Sequence, residues 1–137
     1  MILVDTSIWI ELINGRLGRT LAADRLLEFV TCGPIVQEVL QGVRQASASD
    51  PFRDGFLAIP CLSDPLPCSA FLQAADIYRQ GRQKGFTIRS SADCLIAAIA
   101  IENKVPVWHR DRDFDVIARY TPLLASQQLE RLAARLS

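Results

Sequence analysis

At 137 residues, half of them hydrophobic and 22% charged, the chain has the size and composition of one domain with its own core, which excludes a disordered segment. Fifteen basic side chains balance fifteen acidic ones, which excludes a protein that coats nucleic acid through net positive charge. The four cysteines (Cys32, Cys61, Cys68 and Cys94) form no C-x-x-C pair and His109 is the only histidine, which excludes a zinc finger or ribbon.

Met1–Val4 is a short apolar run, read as a buried first strand, and Asp5 follows it at once. This start lacks the basic region of a secretory signal, and no apolar run approaches the roughly 20 residues of a membrane helix. The expectation is a soluble, cytoplasmic protein with no membrane partner, whose cysteines are reduced, small and mostly buried. Thr6 and Ser7 can cap a helix carrying Ile8, Trp9, Leu12 and Ile13, which Asn14-Gly15 ends. Trp9 reads as core, given its apolar neighbours, and not as a platform for base stacking. A second helix is predicted from about Arg19 to Phe29, then a strand at Val30–Cys32 that Gly33-Pro34 breaks. Pro34 opens a helix through about Arg44, with Val36, Val39, Leu40 and Val43 at helical spacing.

Ser47 to Pro51 reads as a loop, Pro51 to about Leu57 as a short helix, and Ile59–Leu62 as a third strand. Ser69 to about Lys84 is helical, and Gly85 stops it. Ser90 to Asn103 is the most apolar predicted helix, because Leu95–Ile101 is apolar almost all round. Val105–Trp108 is the next strand, with Pro106 pointing to an edge or a strand start. Asp113 to about Arg119 is a short helix. Ser126 to Leu136 is an amphipathic one, with Leu129, Leu132 and Leu136 expected to pack on the domain. Alternating strands and helices predict an α/β fold with a mostly parallel central sheet of about five short strands flanked by helices, spanning residues 1–137 as one domain. Ligands bind such sheets beyond the carboxyl ends of the strands, where Asp5 and His109–Asp113 both fall.

Asp5 follows a buried strand, where a charge first finds room; the alternative is that it only caps the next helix, and the two are compatible. Glu38 stands between apolar Val36 and Val39, where an ionised carboxylate is costly unless paired or cation-bound; alternatively it faces solvent. Asp93 opens the apolar helix, and Ser90-x-x-Asp93 also resembles a capping box. Asp111 and Asp113 lie in a charged run that could simply cap the next helix. If these acids converge, two unit charges at 4 Å repel by roughly 4 kcal/mol at an effective dielectric near 20. A divalent cation removes that conflict, and all-oxygen ligands select Mg2+, or Mn2+ as a substitute, over zinc. Such an ion activates water and stabilises charge on a phosphoryl oxygen, which points to phosphodiester hydrolysis by metal-activated water.

With these residues in place, the chain resembles a PIN domain, and specifically the VapC-type toxins of type II toxin–antitoxin systems. The resemblance is carried by Ile2-Leu-Val-Asp-Thr-Ser-Ile-Trp9, by Val36-Gln-Glu-Val-Leu-Gln-Gly42, by Ser91-Ala-Asp-Cys-Leu-Ile-Ala-Ala98 and by Trp108-His-Arg-Asp-Arg-Asp-Phe114, in order from Met1 to about Tyr120. It implies that Asp5 and Asp93 are the principal metal ligands, that Glu38 orients water or acts as base, and that Ser7 hydrogen-bonds behind the cluster. Whether Asp111 or Asp113 completes the set stays open. It also implies a magnesium-dependent endoribonuclease acting on RNA, often transfer RNA, a homodimer, and a cognate antitoxin.

For gripping RNA phosphates the candidates are Arg110 and Arg112, nearest the acids, and the basic stretch containing Arg82, Lys84 and Arg89, whose alternative is a solvated helix face. The rival functions are a PIN-fold nuclease outside a toxin–antitoxin system, a nuclease cutting DNA, and a non-catalytic nucleic-acid or protein interaction module. An aspartyl-nucleophile phosphatase is disfavoured, because Asp5 is followed by Thr6 and Ser7 where a second acid is wanted.

Overall fold

Three apolar residues cannot hold a strand alone, so the first strand needs neighbours on both edges and cover on both faces. In the computed structural model, which describes residues 1–14, 23–43 and 51–134, β1 (Ile2–Val4) lies at the centre of the sheet with every residue buried. β2 (Phe29–Cys32) pairs with it on one side, Ile2 opposite Phe29, and β4 (Val107–Trp108) on the other, Val4 opposite Trp108. β3 (Cys61–Leu62) extends the β2 side and β5 (Ala125–Ser126) the β4 side. Among the described residues the order is β3-β2-β1-β4-β5, and every pairing is parallel.

The helices are α1 (Thr6–Ile13), α2 (Gly33–Gly42), α3 (Pro51–Leu57), α4 (Cys68–Gln83), α5 (Ser91–Asn103), α6 (Arg112–Ala118) and α7 (Leu129–Ala134). The chain steps outward from β1 to β3, then crosses back to place β4 on the other side of β1. The switch point therefore lies between β1 and β4, and it is beyond the carboxyl ends of strands at such a point that open α/β sheets bind ligands. α5 is buried at almost every position from Asp93 to Ala100. Trp9 is core: its ring meets Phe56 of α3 edge-on at 5.1 Å, and its indole N–H donates to the Val4 carbonyl at 3.1 Å. No helix among the described residues is long and apolar enough to cross a membrane.

Several boundaries differ from the sequence-based expectation. Of the helix expected over Arg19–Phe29, residues 19–22 lie outside the described residues, Ala23–Glu28 forms a 3-10 helix, and Phe29 already belongs to β2. Phe29 is buried against Trp9 and Trp108, so packing sets its conformation. The loop expected from Ser47 falls mostly outside the described residues, as do Arg44 and Leu136. β3 and β4 are shorter than expected, and Pro106 precedes β4 as a strand start while its carbonyl accepts from Leu3 at 2.9 Å.

The largest correction is at the C-terminal side. Ala125–Ser126 is a strand, and the helix there begins only at Leu129. Leu129 and Leu132 are buried on the domain. The expectation of mostly buried cysteines holds for half of them: Cys32 and Cys94 are buried, Cys61 and Cys68 exposed. Burial pushes the Cys32 thiol up to about 12 and Cys94 to about 11, which leaves both unreactive.

Candidate active site

Asp5 leaves β1 in extended conformation and caps α1. Its Oδ2 accepts the Ser7 hydroxyl at 2.6 Å and the Ser7 amide at 3.2 Å. The Ser7 oxygen in turn accepts the Arg110 amide at 3.0 Å, so the hydroxyl proton has one direction left to point, toward Asp5. The Asp5 amide donates to the Trp108 carbonyl at 3.0 Å, which ties the acid to β4 as well. Burial raises the Asp5 pKa against the lowering effect of the Ser7 bonds.

Glu38 sits half-buried in α2, and its Oε1 accepts the Thr6 hydroxyl at 3.1 Å. It is therefore hydrogen-bonded while still partly open to solvent. Burial raises its pKa, Thr6 opposes this, and the charge of Asp5 adds to the rise. From sequence Thr6 is only a cap; its role in holding Glu38 depends on a contact 32 residues away along the chain, which no local pattern announces.

Asp93 is 7% exposed in the first turn of α5. The capping-box expectation fails here: the Ser90 side chain makes no cap bond, and the Asp93 amide instead meets the Ser90 carbonyl at 3.2 Å. Asp93 Oδ2 is buried without a hydrogen-bond partner among the described residues. Burial first, then Asp111 beside it, then the charges of Asp5 and Asp113, push the carboxyl up to about 9.

Asp111 caps α6, its Oδ1 accepting the Asp113 amide at 3.0 Å. Asp113 is 2% exposed, and its Oδ2 accepts the Arg89 amide at 3.0 Å. One oxygen from each of Asp93, Asp111 and Asp113 lies within 4.8 Å of the others. A donor set of carboxylates, one with an unsatisfied buried oxygen, fits a hard divalent cation such as Mg2+ or Mn2+.

The basic candidates divide. Arg89 reaches the cluster, with guanidinium nitrogens 3.7 Å from Asp113 and 3.8 Å from Asp111. Arg110 faces the site only through its amide. Its side chain pairs with Glu11 at 3.3 Å, lies 5.9 Å over the Trp108 ring and donates to the Gln127 carbonyl. Arg112 is exposed at the start of α6. Arg82 and Lys84 are exposed at the end of α4, and no ion pair among the described residues joins them to the acids. His109, given no role from sequence, is fully buried; its Nε2 lies 3.0 Å from Asp115 and burial lowers its pKa. An open cavity of about 770 Å³ adjoins Glu38, walled by Gln37, Phe71, Tyr78 and Ser91.

Known proteins share both the sequence pattern and the fold. The model of the PIN domain family matches residues 2–120. Ribonuclease VapC11 of Mycobacterium tuberculosis is 39% identical over 134 residues, covering 92% of this chain and 98% of its own, and a VapC ribonuclease of Mycobacterium bovis matches equally. Among solved structures, VapBC2 from Rickettsia felis bound to a promoter DNA fragment superposes with a TM-score of 0.65 at 18% identity, covering 92% of this chain and 98% of that one. FitAB bound to the IR36 DNA fragment gives 0.60 at 18% identity over 92% and 94%. At that identity the structural likeness concerns the fold.

Proposed function

This chain belongs to the PIN domain family, with VapC ribonucleases as close relatives along its length, and from that premise we propose that it is a magnesium-dependent endoribonuclease, the toxic member of a type II toxin–antitoxin pair. One observation carries the proposal: Asp93 Oδ2 is buried, unpartnered and held beside Asp111 and Asp113. Thr31 Oγ1 and His109 Nδ1 are also buried without a partner among the described residues, but only Asp93 is an acid standing among other acids, the setting that a cation completes.

In this reading Asp5 and Asp93, with Asp111 and Asp113, hold the ion. When bound, Mg2+ supplies the Lewis acidity that lowers the pKa of water and offsets charge on a phosphoryl oxygen. Glu38, with its raised proton affinity and one oxygen fixed by Thr6, takes or steers a proton at its other oxygen. Ser7 holds the Asp5 carboxylate in one orientation. Removing that hydroxyl in Ser7→Ala is expected to lower cleavage about 10–100-fold, the usual effect of losing a group that orients a ligand. Initial rates on a fixed RNA, with circular dichroism to confirm folding, check this.

RNA is the substrate, with transfer RNA the first to test. The relatives are named as ribonucleases, and the structural neighbours VapBC2 and FitAB as DNA-bound assemblies. We take from these a cognate antitoxin as partner. A homodimer is also proposed: Phe71 and Leu72 are more than half exposed on α4 and offer apolar surface for a second copy, which sedimentation at micromolar concentration checks.

The deciding experiment is sequencing of RNA ends after brief expression in cells, beside an Asp93→Asn control. New ends at defined sites in the wild type alone are expected. Identical end profiles would overturn the assignment. Purified protein offered RNA and DNA in parallel, with and without EDTA, separates a ribonuclease from a DNA-cutting enzyme.

A further inference from the structure

The acid cluster carries its own monovalent cation. Arg89 approaches both Asp111 and Asp113, yet at 3.8 and 3.7 Å, beyond hydrogen-bond length. Its side chain is 63% exposed, whereas that of Asp113 is 3% exposed. The short contact comes from the Arg89 backbone, whose amide donates to Asp113 Oδ2 at 3.0 Å. Two functions are therefore separated within one residue: the amide fixes where Asp113 points, and the guanidinium adds charge without fixing anything.

We propose that the Arg89 guanidinium is a displaceable counter-ion for Asp111 and Asp113, which offsets their repulsion while the site is metal-free and withdraws when a divalent ion enters. The inference rests on the metal reading of the site given above. An exposed, loosely placed guanidinium holds a carboxylate weakly. A dication among three carboxylates outcompetes it, because twice the charge sits closer to the oxygens. The amide stays in place throughout, so Asp113 keeps its orientation as the side chain leaves. The withdrawn guanidinium then stands free at the rim of the site, where it can meet a substrate phosphate.

The test needs no RNA. Calorimetric titration with Mg2+ alone compares wild type, Arg89→Lys and Arg89→Gln, with Arg89→Met as a second neutral variant should Gln fold poorly. All three retain the amide. The neutral variants are expected to bind Mg2+ about threefold more tightly than wild type, and Lys to bind like wild type. The same free energy must appear in melting: metal-free Arg89→Gln melts lower by roughly 2 °C, and saturating Mg2+ erases the difference. A purely structural role would lower the melting point equally with and without Mg2+, and that result overturns the proposal. Unchanged or weaker Mg2+ binding in the neutral variants overturns it as well. Wild-type protein that binds no Mg2+ would bring down the metal reading itself, a distinct result, and this inference with it.

Discussion

Replacing Asp93 with Asn is expected to reduce cleavage by more than about a hundredfold, beyond the loss caused by removing an outer partner, while making the metal-free protein more stable. The two effects have one origin. The Asp93 carboxyl is raised from 3.8 to about 9 in the fold, so the native state takes up a proton that the unfolded chain lacks. Its contribution to stability is complete below pH 3.8 and is lost progressively up to about pH 9. At neutral pH the metal-free wild type carries that penalty and the amide does not. A tenfold change in proton affinity between folded and unfolded chain is worth about 1.4 kcal/mol, and relaxation of the site leaves an expected gain of about 1–3 kcal/mol for Asp93→Asn at pH 7. Urea melts of both proteins at pH 5, 7 and 9 measure this. Wild-type stability should fall along the series and the variant's should stay flatter; parallel curves would refute the account, and undiminished cleavage would refute the assignment.

Metal affinity should rise steeply with pH. An ion can occupy the site only when Asp93 is a carboxylate, so Mg2+ must displace the proton. Below the Asp93 pKa of about 9 the apparent association constant should climb up to tenfold per pH unit, or about a hundredfold between pH 6 and 8, and then level off. Titrations at fixed ionic strength in buffers of differing ionisation enthalpy give both the slope and the protons released, with about one proton per ion expected near neutrality. A flat profile would mean that Asp93 is already ionised or does not meet the ion. Cleavage at subsaturating Mg2+ should follow the same slope, and saturating Mg2+ should abolish it.

The parts of this molecule that sequence revealed are those whose cause is local. An apolar run closed by Asp5 reads as a buried strand with a charge at its exit. Leu95–Ile101 reads as a helix covered on several sides, and the structure buries most of it. Gly33-Pro34 reads as a helix start, and α2 begins there. What sequence concealed is set by distant partners. β5 has two residues and exists only because β4 offers an edge, so no periodicity marks it, whereas β3 falls inside the strand expected at Ile59–Leu62. Ser90 and Asp93 match a capping box by spacing, yet the Ser90 side chain makes no cap bond, and burial and then the neighbouring Asp111 set the state of the carboxyl. Arg110 stands beside the acids in sequence, but its side chain turns to Glu11 and Trp108. Arg89, far from Asp113 in sequence, is the one that arrives. Spacing identifies which acids to watch; which cation attends them depends on how the loops pack.

The placement of Asp5 has one more consequence. It hangs on the innermost rail of the sheet, bonded through its own amide to β4, so loosening at the outer strands or the last helix does not reach it. Fraying at the edges of the sheet therefore leaves this carboxylate in place, and its orientation is lost only when β1 and β4 part.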